Sequence, residues 1–405
     1  MLVRRWFFTV VVMVALLSAG SVPAEVPVPI KDLYTLTDGG SVWLGAALGG
    51  YLYYGGCYQE DFYGCELVRT PIGGSGVERV KDIQPGPDGS NPDHFMTVGG
   101  LVFFRANGNQ LWKTDGTEAG TQRVRSFSSL SDPRQDAFRW AAVGNTLFFR
   151  AQDNFGMELW MTDGTTSSRI DLCGGSCSGD PRWLTTLGSS VIFSGSNGSD
   201  VELWRHQGGI TTRYADINPS GSSFPDHIES LGGVAVFQAQ DATEQGLFST
   251  DGATVSKIAG SATFFYGFTD LKVAGGIAFF DGNDGGVLSG RELWISNGTQ
   301  AGTALIKDIR PGSFSSDPQD FAAVGNLMYF TANDGTNGRE LWVSNGNGAG
   351  TLPLEIVPGS GSPSFQYDIV DLNGDQAFFV ADNGSGTGSE PRVSVSVVQP
   401  EASNI

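Results

Sequence analysis

Oxygen-rich loops are the first feature of this 405-residue chain whose composition and spacing could do chemistry. Asp281-Gly282-Asn283-Asp284 and Asp371-Leu372-Asn373-Gly374-Asp375 set carboxylate and amide oxygens at alternate positions, the spacing by which calcium loops gather hard ligands. Neither run is complete. The first lacks a later carboxylate, and the second falls on an Asn-Gly hairpin turn that needs no metal. Asp281, Asn283 and Asp284 are therefore the expected metal ligands, with Ca2+ the one ion the sequence suggests and no other cofactor expected. A second set of acids, Asp61, Asp153, Asp241, Asp284, Asp334 and Asp382, recurs in connections that vary along the chain. Variable loops on a uniform scaffold are where recognition usually resides. These residues predict an acidic ligand-binding face suited to a cation, a basic partner or a calcium-bridged polysaccharide.

Residues suited to acid–base or nucleophilic work are sparse. His94 and His227 each follow Pro-Asp at equivalent places in different repeats, which argues against one catalytic pair, and His206 lies in a turn. No Ser-His-Asp set, paired-carboxylate motif or phosphate loop is recognisable, so no catalytic residue is assigned and the balance lies against an enzyme. Cys57 with Cys65 and Cys173 with Cys177 form two local pairs. Zinc is the alternative to disulfides, but none of the three His lies near either pair; two disulfides are the expectation.

The elements that must position these residues repeat. A run of apolar residues followed by a small residue occurs eight times: before Gly56, Ala106, Ala151, Gly195, Ala239, Gly282, Ala332 and Ala381, at intervals of 43 to 50 residues. A two-residue turn precedes each run, as in Gly99-Gly100, Gly275-Gly276 and Asn373-Gly374, where positive φ suits a hairpin. A third strand opens with Glu-Leu-Trp (158–160, 202–204, 292–294, 340–342), another turn follows, as in Asp115-Gly116-Thr117, Asp163-Gly164-Thr165 and Asn297-Gly298-Thr299, and a fourth short strand ends the unit. The units span approximately 40–83, 95–127, 138–172, 183–217, 227–258, 268–309, 321–357 and 367–398. Their apolar runs do not alternate with polar residues, so each antiparallel sheet needs cover on both faces. Radial stacking supplies that cover. The predicted fold is an all-β, eight-bladed β-propeller of four-stranded antiparallel blades; its last blade is closed by an N-terminal strand at 29–33, with seven blades as the alternative.

Arg4 and Arg5 before the apolar stretch from Trp6 to Leu17, with Val22-Pro23-Ala24 after it, read as a signal peptide over 1–24. One domain over 25–405 and an extracytoplasmic location, whether secreted, periplasmic or at the cell surface, are expected. Removing the signal takes the net charge from −19 to −21, which disfavours nucleic acid and anionic lipid. No membrane insertion is expected, and a monomer is.

The pattern Glu-Leu-Trp, two residues, Asp-Gly-Thr resembles the ELWxxDGT (hyalin-like) repeat family of bacterial secreted and surface proteins over nearly the whole mature chain. Matches at 158–165, 292–303 and 340–351 are the fullest, with Asn297 and Asn345 in place of Asp; at Val68, Phe248 and Arg392 the Trp is lost. The resemblance implies an extracytoplasmic repeat protein and leaves activity open. The leading expectation is a secreted or surface-associated non-catalytic binding or adhesion scaffold whose partner is a polysaccharide or a surface protein. The alternative is a carbohydrate-active hydrolase or lyase with a loop-built site at the channel mouth.

Overall fold

The computed structural model describes residues 45–57, 64–72, 76–132, 135–260, 268–283 and 290–354, with four short strand segments between 364 and 382. Seven antiparallel sheets follow one another, each a meander in which four strands pair in chain order. They cover 46–81, 93–126, 129–170, 182–215, 226–260, 271–307 and 319–354, the third carrying an additional two-residue strand, Ser129–Leu130. In the eighth repeat, Ser364–Phe365 pairs with Ala381–Asp382 and Val370–Asp371 with Ala377–Phe378. Residues 1–24, the strand at 29–33, Asp61 and Asp284 lie outside the described residues. The chain divides into two compact units, one holding the first four sheets and one running from His227 through the remaining sheets.

The apolar second strands are covered on both faces, as their composition demands. In the second sheet Phe104 packs with Tyr53, Leu67 and Val80 of the first sheet, whereas its neighbour Phe103 packs with Phe149 and Trp160 of the third. Phe148 of the third sheet turns the other way, onto Phe193 and Trp204 of the fourth. The second unit repeats the arrangement, with Phe280 joined to Val236 and Leu247 and Phe279 to Met328 and Phe330. Each buried Phe contributes roughly 2–3 kcal/mol by leaving water, so the faces between sheets are the core.

Two turns fix the register of each meander. Gly99-Gly100 and Gly275-Gly276 have positive φ at both positions, the hairpin geometry that matches strand twist. At the far end of the third strand, the side chain of Asp115 or Asn297 accepts hydrogen bonds from the backbone and hydroxyl of Thr117 or Thr299.

A third device sits where a first strand begins. Its ladder slips by one residue in three sheets, between Asp93 and Met96, Arg182 and Thr185, and Gln319 and Ala322. His94, Trp183 and Asp320 occupy these bulges with φ of 59°, 56° and 56°, and His227 has φ 47° at the equivalent place. The left-handed conformation costs a non-glycine residue roughly 1–2 kcal/mol. His94 reaches Asp132 from its bulge, whereas Asp320 stays over its own sheet and accepts from the Thr331 hydroxyl of the adjacent strand.

Candidate functional site

The repeated Glu is a structural residue. Glu66, Glu202 and Glu292 are buried in their third strands, and each accepts backbone N–H bonds from the connection leading out of the sheet: from Ile83 and Ser90, Ile217 and Ser223, and Ile309 and Ser316. Ser90, Ser223 and Ser316 add their hydroxyls at 2.6–2.7 Å. Glu158 does the same for Leu172 and Gly179. Burial pushes the carboxyls of Glu158 and Glu202 up, and that of Glu292 up to about 7.

Three of the acids expected to form a binding rim, Asp153, Asp241 and Asp334, are engaged in their own turns. Asp153 accepts from the N–H of Phe155. Asp241 accepts from Thr243 and Glu244 and meets Lys257 Nζ at 2.6 Å. Burial opposes its ionisation, but Lys257 and the turn donors outweigh burial and hold the carboxyl well below the usual range. Asp334 accepts from Thr336 and Asn337 and is lowered by the same balance. Asp382 lies on a short strand.

Of the expected metal ligands, Asp281 is buried in the sixth sheet, where it accepts from Thr269 and Asp270 and is ion-paired with Arg291. Burial raises its carboxyl. Asn283 ends the same strand. Glu158, Asp171 and Cys173 bring one ligand atom each within 4.8 Å of one another, but the sulfur of Cys173 belongs to a disulfide.

Both expected disulfides are present. Cys57 and Cys65 lie opposite each other across the second and third strands of the first sheet, and Cys173–Cys177 pins the connection between the third and fourth sheets. They fit an oxidising, extracytoplasmic compartment. Among the described residues, no helix is long and apolar enough to cross a membrane.

The arrangement with the most chemical potential was not singled out by its sequence. At the bulge of the second sheet, His94 is 3% exposed. Its Nδ1 lies 2.7 Å from Asp93 Oδ1 and its Nε2 lies 2.5 Å from Asp132 Oδ1. Arg105 holds Asp93 in a two-pronged contact at 2.8 and 2.7 Å. Burial works against the charge of Asp93, but His94 and Arg105 outweigh it and keep the carboxyl below its ordinary range. Both ring nitrogens thus lie within ion-pair distance of a carboxylate oxygen, although neither contact has the geometry of a hydrogen bond.

The network continues through the third and fourth sheets. Arg150 bonds the hydroxyl of Ser131, the residue before Asp132, and is ion-paired with Asp180, which Arg182 also contacts at 2.7 Å. Asp180 is likewise lowered by Arg150 and Arg182 against burial. Arg105 and Arg150 occupy matching places, each between Phe and Ala in Phe-Phe-Arg-Ala, and this joins the Pro-Asp-His run ending at His94 as a sequence signal that points here. The contact of His94 with Asp132 spans 38 positions and depends on a bulge, so no local pattern announces it.

No protein-family model matches the chain, and no curated protein is similar to it. Among solved structures it is similar to a puromycin hydrolase (13% identity, TM-score 0.42, covering 85% of this chain and 50% of that one). It is also similar to a prolyl endopeptidase (14%, 0.43, 72% and 46%) and to the β-propeller domain of the Trilobed protease from Pyrococcus furiosus (12%, 0.40, 77% and 97%). The chain spans about half the length of the first two. These neighbours correct the expectation of a non-catalytic binding or adhesion scaffold, because a hydrolase, an endopeptidase and a protease domain stand where such scaffolds were expected. They carry no reaction, substrate or residue role over to this chain.

Proposed function

We propose that the chain is a carbohydrate-active hydrolase or lyase whose acid–base centre is Asp132 with His94 and Asp93, in the connection between the second and third sheets. The observation that carries this reading is the buried imidazole set between two carboxylates. Architecture accounts for the backbone, since Trp183, His227 and Asp320 share the left-handed conformation. His227 repeats the imidazole at the equivalent place, so the reading rests on the pair of carboxylates, Asp93 and Asp132, on either side of His94.

The roles follow from exposure. Asp132, 21% exposed, meets the substrate; His94 lies against it at 2.5 Å, and Arg105 fixes Asp93 on the other side of the ring. In hydrolysis the acid protonates the departing glycosidic oxygen and its conjugate base activates water. In a lyase the base removes the carbon-bound proton beside a sugar carboxylate, a double bond forms to the next carbon as its glycosidic C–O bond breaks, and the departing oxygen takes a proton.

The test is a panel of neutral and acidic polysaccharides, read for new reducing ends and for the ultraviolet absorbance of an unsaturated product. Wild-type protein should release product. His94→Asn and Asp132→Asn should each lose about 10²–10⁴-fold in turnover while keeping the far-ultraviolet circular dichroism of the folded chain. No product from any polysaccharide, or unchanged turnover in both variants, overturns the reading.

The finer architecture belongs with this proposal. The eight repeats are read as eight blades of a closed propeller, the strand at 29–33 completing the last, in an exported protein of the ELWxxDGT repeat family. The regular period and the pairing of 364–382 into nested ladders support it. A small-angle scattering profile of a flat, toroidal particle is the expected outcome, and an elongated profile counts against closure.

A further inference from the structure

We infer that a cavity between the third and fourth sheets binds a single uncharged sugar ring. It lies where the strands of those sheets meet their hairpin turns, and it is independent of the acid–base centre described above.

The cavity exists because one repeat departs from the others. After the third strand, the turns at Gly164, Gly298 and Gly346 dock on the preceding sheet. A β-carbon added to each would stand 2.7 to 2.9 Å from Leu101, Val234 and Ile277, the apolar residues at the start of that sheet's second strand. The fourth sheet has a two-residue turn instead, Gly208-Gly209, closed by the pairing of Gln207 with Ile210. A β-carbon on either glycine would meet nothing within 4 Å. Thr146 opens the second strand of the third sheet as Leu101 opens that of the second, so a shorter, polar side chain stands where the docked turns find an apolar one. What is left is a space of about 170 Å³, lined by Val143, Thr146 and Phe148 of the third sheet and by Ser189, His206, Gly208 and Gly209 of the fourth.

His206 gives this space its chemistry. Other repeats carry Thr162, Ser296 and Ser344 at the same place, where the hydroxyl accepts the N–H of the docking glycine. The imidazole that replaces them is 7% exposed; its ring lies 5.0 Å from that of Phe148, and Nδ1 is hydrogen-bonded with the Thr211 hydroxyl at 2.7 Å. Among the described residues Nε2 has no hydrogen-bond partner. Burial holds the imidazole below its ordinary pKa, so it is uncharged at neutral pH.

The lining selects a ligand by charge, size and polarity. Among the described residues no charged side chain forms its wall, so an ion there would lack a counter-charge, which excludes uronates, phosphates and amines. A cavity of about 150 Å³ holds one benzene ring. The space between these sheets therefore admits one six-membered ring. Nε2 of His206 and the hydroxyls of Thr146 and Ser189 call for several hydrogen bonds, while Val143 and Phe148 offer apolar surface to C–H groups. A pyranose answers both, and because each of its hydroxyls donates and accepts, it pairs with either tautomer of His206. A phenol brings one hydroxyl to three polar groups and leaves the others unpaired.

The probes are the methyl pyranosides of glucose, galactose, mannose and xylose, with sodium glucuronate and phenol beside them, read by saturation-transfer NMR on the wild-type protein. At least one methyl glycoside should bind with a dissociation constant in the millimolar range. Thr146→Leu and His206→Thr install residues that other repeats carry at the same places. Both should keep the far-ultraviolet circular dichroism of the folded chain while weakening that binding about tenfold or more. Binding by none of the glycosides, binding that both substitutions leave unchanged, or glucuronate or phenol held as tightly as the best glycoside overturns the inference. Asp132→Asn, which disables the acid–base centre, should leave glycoside binding unchanged, so either proposal can fail without the other.

Discussion

A buried carboxylate that accepts from several donors has two ways to exist, and Glu292 shows which one the fold favours. Ionised, it accepts from Ile309, from the backbone of Ser316 and from the Ser316 hydroxyl at 2.7 Å. Protonated, it can donate to that hydroxyl oxygen, because the hydroxyl has a second acceptor in the carbonyl of Arg291 at 3.4 Å. Burial and the nearby charge of Asp308 push the carboxyl from its ordinary 4.5 to about 7, against the pull of those donors. The folded chain thus binds this proton more tightly than the unfolded chain. Its contribution to stability is complete below about 4.5 and is lost as pH rises through about 7. Glu292→Gln retains an acceptor and a donor but cannot titrate. The melting temperature of wild type relative to Glu292→Gln should therefore fall between pH 5 and pH 8, and parallel melting curves across that range would refute the assignment. Glu292→Ala is a different experiment: it strands buried N–H groups and should cost about 1–3 kcal/mol for each donor left unpaired, at any pH.

At the scale of elements, the turn after the third strand does more than reverse the chain at Gly116, Gly164, Gly298 and Gly346, because there it docks on the sheet before it. A β-carbon added to Gly298 would stand 2.7 Å from Val234 Cγ1, and the residue has φ +85°. Gly188, in a hairpin turn with φ +58°, would meet nothing within 4 Å. Gly188→Ala should therefore cost only the left-handed penalty of about 1 kcal/mol, and Gly298→Ala about 2–4 kcal/mol, read as chemical-denaturation midpoints at a constant slope. Equal losses would mean that the turn does not bear on its neighbour. The strands, the hairpin glycines and the Glu-Leu-Trp and Asp-Gly-Thr columns were legible in the sequence because each is a local pattern repeated with a period of 43 to 50 residues. The loop acids were harder to read. Asp153, Asp241 and Asp334 look like ligands in a string of letters, but an aspartate two residues before a turn N–H bonds that N–H, and a sequence does not show which way a carboxylate faces. The Asp93–His94–Asp132 cluster was illegible for the opposite reason. Its members are joined by a one-residue bulge and a connection between sheets, neither of which leaves a periodic trace.

For the molecule as a whole, two electrostatic effects of opposite sign compete, and salt separates them by range. The chain carries 43 acidic against 24 basic side chains, so most surface charges repel at distances of many ångströms. The attractive pairs act at contact: Arg105 with Asp93 at 2.7 Å, Lys257 with Asp241 at 2.6 Å and Arg182 with Asp180 at 2.7 Å, several of them partly buried. Added salt shortens the screening length from about 30 Å at 0.01 M to about 3 Å at 1 M. Long-range repulsion is abolished first, whereas hydrogen-bonded pairs shielded from water are weakened least. The melting temperature should accordingly rise by about 3 °C or more between 0.01 and 0.5 M sodium chloride at pH 7.5, where the carboxylate excess is fully developed. Lowering the pH toward the isoelectric region near 4.4 should flatten that salt dependence, since the repulsion it relieves has then been titrated away. A melting temperature that instead falls with salt at pH 7.5 would assign the larger share of electrostatic stability to the arginine–aspartate contacts. The network joining Asp93, Asp180 and their arginines would then be holding successive sheets together.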